Sequence, residues 1–90
     1  MYKFDDVSIK RKSLVLHNGC TDIYYTNIGK LEGVDTFTEV ITQVTEGGIN
    51  VESDIVSIRD FLLKMNNIMK SDLSEDQNKV ILEYIKNFND

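Results

Sequence analysis

Apolar and polar residues alternate between Val7 and Ile28 with the period of two that is typical of β-strands buried on one face. Asn18-Gly19 interrupts the alternation, and this pair tolerates the positive φ angles of a two-residue hairpin turn better than other pairs. The segment therefore predicts two antiparallel strands joined at Asn18-Gly19, with His17 opposite Cys20. This register puts one apolar set on a shared face that we expect to be buried: Leu14, Leu16, Ile23 and Tyr25.

The other face of this predicted hairpin is mixed in character, and we expect it to contact water. It carries Arg11, Ser13, Val15 and His17 from one strand with Cys20, Asp22, Tyr24 and Thr26 from the other.

The segment from 34 to 45 fits two kinds of element. Its four threonines and three valines favour a strand, and Gly47-Gly48 would then be a second hairpin turn. Against this, apolar residues also fall at helical spacing, and Thr36 with Glu39 resembles a helix capping box. We favour the strand and keep a helix over 35–46 as the alternative.

From Ser53 onward the apolar period changes to that of a helix. Ser53 is a suitable N-cap, and the period predicts a helix over about 54–70. Ser74-Glu75-Asp76-Gln77 is a capping box that predicts a second helix over about 75–88. The two apolar stripes are Ile55, Ile58, Phe61, Leu62, Met65, Ile68 and Met69 in the first helix and Val80, Ile81, Tyr84, Ile85 and Phe88 in the second.

These elements predict an α+β fold for a single domain over 1–90. An antiparallel sheet of three to four strands comes first, and two amphipathic helices follow and cover one face of the sheet. If 35–46 were helical, the fold would be a β-hairpin with three helices.

Composition restricts the class of protein. Apolar residues make up 41% and charged residues 28% of the 90, which is ordinary for a folded soluble protein. No run approaches the roughly 18 apolar residues that span a bilayer, so we expect no membrane segment. The single cysteine, Cys20, fits a reducing compartment, and we expect a cytoplasmic protein. Heavy use of Ile, Asn and Lys is typical of an AT-rich bacterial or phage genome.

Reactive side chains are few. His17 and Cys20 would be cross-strand neighbours at the hairpin tip, where a thiol and an imidazole could form a nucleophile pair or two metal ligands. Two ligands do not complete a zinc site, and an exposed hairpin tip has no pocket in which a reaction could take place. We therefore expect no enzyme, no metal and no cofactor.

Charge gives the main indication of function. The net charge is −5, and no basic residue lies between Lys30 and Arg59. This acidic stripe could bind another protein that has a basic surface, although acidic surfaces also simply favour solubility. The candidate partner-binding residues are Glu32, Asp35, Glu39, Glu46, Glu52 and Asp54.

The leading hypothesis is a small acidic intracellular protein-binding module, such as an inhibitor, immunity or regulatory factor of bacterial or phage origin. The alternative is a nucleic-acid-binding regulator that uses the one basic cluster and nearby aromatic rings: Lys10, Arg11, Lys12, Tyr24 and Tyr25. An unpaired outer strand could also form a homodimer by sheet extension.

Overall fold

The computed structural model describes residues 3–87 and shows an α+β arrangement, as predicted. Five strands, rather than three to four, precede two helices in this part of the chain. In order these are β1 Asp6–Lys10, β2 Ser13–Asn18, β3 Thr21–Leu31, β4 Val34–Thr45, β5 Gly48–Ser57, α1 Ile58–Ser71 and α2 Glu75–Lys86. The strands form one antiparallel sheet in the order β1-β2-β3-β4-β5, so each strand pairs with its neighbour along the chain.

The hairpin between β2 and β3 forms, but its register differs from the prediction. Asn18 pairs with Thr21, which makes Gly19-Cys20 the loop and places His17 opposite Asp22. Neither Asn18 nor Gly19 has a positive φ angle. The turn is held by side chains instead, because Asn18 Oδ1 accepts from the Thr21 N–H at 3.2 Å and Asp5 Oδ2 accepts from the Gly19 N–H at 3.2 Å.

The predicted division of this hairpin into two faces is confirmed. Leu14 lies opposite Tyr25 and Leu16 lies opposite Ile23, on the face that packs against the helices. Three residues of the other face differ from the prediction, since Arg11 and Cys20 lie in turns rather than in strands and Val15 is buried. Val15 pairs with Ser8 and Tyr24 on the outer face, yet it is only 6% exposed.

The strand β3 extends further than the sequence pattern predicts, whereas β4 has the predicted range. Gly29 does not end β3; it lies at a bulge, with a φ angle of 92°, and the strand continues to Leu31. The segment 35–46 is strand, as favoured, and belongs almost entirely to β4. At the far end of β4 the turn is Glu46-Gly47 rather than Gly47-Gly48, because Thr45 pairs with Gly48.

The first helix begins later than predicted. Ser53 and Ile55 lie in β5, where they pair with β4, and the N-cap of α1 is Ser57, whose hydroxyl accepts from the Asp60 N–H. Backbone pairing over the ten residues of β5 overrides the helical spacing of their apolar side chains. The prediction of a helix from about 54 is therefore wrong by one turn.

The second helix matches its prediction closely. Ser74 is the N-cap, and both halves of its capping box with Gln77 are present. Gln77 Nε2 also donates to the Phe4 carbonyl at 3.0 Å, which joins the start of α2 to the start of the chain. The predicted apolar residue Phe88 lies outside the described residues.

Both helices pack on the same face of the sheet, and aromatic rings fill the space between the layers. Phe61 of α1 is fully buried and stacks on Phe37, with centroids 4.5 Å apart, while Tyr25 and Tyr84 meet it edge-on. The opposite face of the sheet, which we call the outer face, has no helix of the described chain on it.

Neither described helix is both long and apolar enough to cross a membrane.

Candidate binding surface

The strand β5 forms one edge of the sheet and is exposed for most of its length. The strand order gives the sheet two edges, of which β1 has 5 residues and β5 has 10. Every β5 residue from Gly48 to Ile55 is exposed. A long, exposed edge strand presents backbone donors and acceptors to whatever approaches it.

The backbone groups at this edge can be assigned to particular residues. The Ile55 N–H donates to the side chain of Asp54, Oδ1, at 2.8 Å, so it points away from β4. In antiparallel pairing, alternate residues bond to the same side. Ile49, Val51 and Ser53 therefore share the orientation of Ile55, and their N–H and C=O groups face the free edge.

The side chains of β5 divide by character between the two sides of the sheet. Ile49, Val51 and Ile55 are 70%, 62% and 61% exposed and lie on the outer face. Glu52 and Asp54 alternate with them and lie on the side that carries the helices. No residue of β5 is basic or proline. The free edge is thus apolar on one side and acidic on the other.

A shallow depression adjoins this edge on the outer face. Its volume is about 650 Å³, and its lining comes from both β4 and β5: Thr38, Val40, Ser53, Asp54 and Ile55. A side chain presented by a strand lying alongside β5 could enter it.

The acidic stripe of the sequence does not form one patch in space. Glu32 and Glu46 lie in the turns at opposite ends of β4, a strand that is roughly 36 Å long from its first to its last residue at about 3.3 Å per residue. Asp35 lies near the first of these turns, with Lys30 Nζ 3.9 Å from its carboxylate. Glu52 and Asp54 are the two carboxylates of the stripe on the free edge.

Glu39 is removed from the predicted partner-binding set, because it is buried. It is 7% exposed, and its Oε2 atom accepts from the Tyr25 hydroxyl at 2.6 Å and from Lys64 Nζ at 2.9 Å. Burial, with the hydrogen bond to Glu39 and its charge, raises the pKa of Tyr25 well above its ordinary value. The Glu39 carboxylate therefore links β3 and β4 to α1, and its burial leaves it inaccessible to a partner.

The residues predicted to bind nucleic acid are not brought together. Lys10 ends β1, and Arg11 and Lys12 form the turn into β2, where Arg11 has a φ angle of 59°. Tyr25 is 2% exposed on the helix side, so it cannot stack on a base. Tyr24 stays on the outer face, partly exposed.

The second buried tyrosine also has a structural role. Tyr84 of α2 is 2% exposed, and its hydroxyl donates to the Lys12 carbonyl at 2.6 Å. Burial raises the pKa of Tyr84 to about 12. This bond holds the turn between β1 and β2 against the second helix.

His17 and Cys20 are not cross-strand partners. Cys20 lies exposed in the turn, and His17 Nδ1 bonds to Asp22 Oδ1. This bond, with the charge of Asp22, raises the pKa of His17 above 6.5. Within residues 3–87 no group of three or more His, Cys, Asp or Glu side chains could hold a metal ion.

An apolar groove of about 590 Å³ also lies on the surface of the helices. Its walls are Ile58, Leu62, Leu63 and Met69 of α1 with Ile85 of α2, and Arg59 and Asn66 border it. The sequence pattern placed Leu62 in the buried stripe of the first helix, but it is 39% exposed, and Leu63, which lies outside the predicted stripe, is 56% exposed.

Sequence reasoning missed three residues of the free edge, Ile49, Val51 and Ile55. Ile55 was assigned to a helix, and the other two were expected only to follow a turn. The signal was present in the alternation of Val51, Glu52, Ser53, Asp54 and Ile55, which has a period of two.

Comparison with protein-family models, with curated proteins and with solved structures finds no match to this chain.

Proposed function

We propose that this protein is a small acidic protein-binding module that holds a partner with a basic surface by stoichiometric contact at the free edge of β5. The observation that carries the proposal is the exposed edge strand itself, with Glu52 and Asp54 on one side and backbone groups that face the free edge along its length. Such a role is that of an inhibitor, immunity or regulatory factor acting in the cytoplasm of a bacterium or a phage-infected cell.

Electrostatics supports a basic partner. The nearest positive charges along the chain are Lys30 and Arg59, so β5 and the turn before it contain no basic side chain. On the helix side of the sheet, Lys64 is already bound to Glu39, the cross-strand neighbour of Asp54. Opposite charges at the rim of an interface steer association and exclude wrong partners more than they add affinity. Binding at this edge should therefore weaken as salt concentration rises.

Charge reversal at β5 tests the proposal. The variant Glu52→Lys with Asp54→Lys should lose the proteins that the unmodified chain retains from a lysate of its source cells. The control is Asp6→Lys with Glu83→Lys, which makes the same change in net charge on β1 and α2, away from β5. It should retain those proteins.

Circular dichroism establishes that both variants are folded before capture is compared. If the β5 variant and the control retain the same proteins in the same amounts, the free edge of β5 is not the binding surface and the proposal fails.

A further inference from the structure

The backbone groups of β5 that face the free edge define how a partner would bind, and not only where. Ile49, Val51, Ser53 and Ile55 each direct an N–H and a C=O group to the free edge, as shown by the direction of the Ile55 N–H. One extended strand of a partner satisfies these groups together. A folded partner surface without an extended segment would leave most of them to water.

One of these donors already has a substitute acceptor. The Asp54 side chain accepts from the Ile55 N–H at 2.8 Å. A strand that pairs with β5 would supply a carbonyl for this N–H, and the Asp54 carboxylate would then be free to turn toward a basic side chain of the partner.

The charges of β5 argue against a second copy of this chain as the added strand. In a two-fold antiparallel pairing centred on Ser53, each Glu52 lies opposite the Asp54 of the other copy. Shifting the centre by one residue pairs Glu52 with Glu52 or Asp54 with Asp54, and a centre at Val51 places Glu52 opposite Asn50 but diagonal to the Glu52 of the other copy. Like charges directly opposite each other on a sheet are destabilising, and β5 has no basic side chain to offset them.

The two sides of β5 specify the side chains that a different protein must present. Cross-strand neighbours lie on the same side of a sheet, so residues that meet Glu52 and Asp54 should be lysine or arginine. The alternate residues lie on the outer face beside Val51 and Ile55, next to the shallow depression, and should be apolar. The matching segment therefore alternates basic and apolar residues.

We propose that β5 binds its partner by strand addition, an inference that rests on the proposed function. The occupant is an extended segment of another protein in which basic and apolar residues alternate. The bound segment becomes the sixth strand of the sheet.

Titration calorimetry with synthetic peptides tests this inference. The probe is an eight-residue peptide that alternates lysine and valine, and its control has four lysines followed by four valines, with the same charge and composition. The alternating peptide should bind with a stoichiometry of one and at least about tenfold more tightly than the block peptide. Glu52→Gln with Asp54→Asn should weaken its binding by roughly tenfold, through the loss of two ion pairs at the rim.

A proline at the free edge separates strand addition from simple charge attraction. The Ser53 N–H faces away from β4, so Ser53→Pro removes an edge donor and obstructs an incoming strand without removing a bond within the sheet. Ser53→Ala is the matched control, since it keeps the N–H. Binding of the alternating peptide should be abolished in Ser53→Pro, whereas Ser53→Ala, which shortens a side chain lining the depression but keeps the edge N–H, should still bind the peptide.

The possible failures point to different conclusions. Equal binding of the alternating and block peptides, with Ser53→Pro still active, would overturn strand addition while leaving an acidic binding surface as proposed. A dimer in sedimentation experiments that Ser53→Pro dissociates would show that a second copy is the occupant. Absence of binding by either peptide, together with unchanged lysate capture by the Glu52→Lys and Asp54→Lys variant, would remove both proposals.

Discussion

At the scale of single residues, the side chains that the sequence offered as candidate reactive or binding groups are either structural or simply exposed. His17 and Asp22 are cross-strand partners at the surface, and their side chains are bonded to each other. Hydrogen bonds through Glu39 connect Tyr25 of the sheet to Lys64 of α1. Both sets of bonds lead to predictions that can be tested without knowing the binding partner.

The raised pKa of His17 depends first on its hydrogen bond to Asp22. Its contribution to folding is therefore fully present below pH 6.5, the ordinary value, and is lost as the pH rises through the raised value. We expect an NMR titration of the His17 ring to give a pKa above 6.5, and Asp22→Asn to lower it. An unchanged pKa in Asp22→Asn would show that the bond is absent in solution.

The burial of Glu39 predicts a loss of stability when either of its two partners is removed. Tyr25→Phe removes a buried hydrogen bond to a charged group and should lower the free energy of unfolding by about 1.5–3 kcal/mol. Lys64→Met leaves the buried Glu39 carboxylate without its cation, so it should also lower the free energy of unfolding, by about 1–3 kcal/mol, although the Lys64 side chain itself is 44% exposed. Urea denaturation measures both, and unchanged stability in the two variants would contradict a buried, structural role of Glu39.

At the scale of elements, the sequence predicted the type of each element better than its ends. Faces could be predicted because alternation with a period of two survives a shift of register by two residues, as in the hairpin of β2 and β3. The register itself depends on the Asn18 and Asp5 side chains, and the bond from Asp5 crosses between segments that are distant in sequence. Sequence patterning does not report such contacts.

The start of α1 is also decided by pairing that the sequence pattern does not show. Ile55 and Ile58 are three residues apart, so they fit a helix, but only Ile58 lies in one. Pairing of β5 with β4 decides the boundary, and it moves the N-cap from Ser53 to Ser57.

This boundary predicts different costs for two serine substitutions. Ser57→Ala removes the N-cap acceptor of the Asp60 N–H and should lower the free energy of unfolding by about 1 kcal/mol. Ser53→Ala changes an exposed strand residue and should stay within about 0.5 kcal/mol. Thermal or urea unfolding compares them, and the reverse order would place the helix start at Ser53.

At the scale of the whole molecule, residues that are close in sequence are separated in space. The six carboxylates of the acidic stripe are divided among two distant turns, a buried network and one free edge, because β4 runs the length of the sheet between the turns. The sequence showed the charge imbalance but not its placement. What remains of the stripe as a candidate site, Glu52 and Asp54, is the part that shares an exposed edge with Val51 and Ile55.

Amide hydrogen exchange of β5, followed by NMR, tests the free edge most directly. In the free protein the Val51 and Ser53 amides should exchange quickly, because they face the edge, while the Glu52 and Asp54 amides should exchange slowly, because they bond to β4. Addition of the alternating lysine and valine peptide should slow Val51 and Ser53. Slow exchange at Val51 and Ser53 in the free monomer, or no change on adding the peptide, would contradict the account.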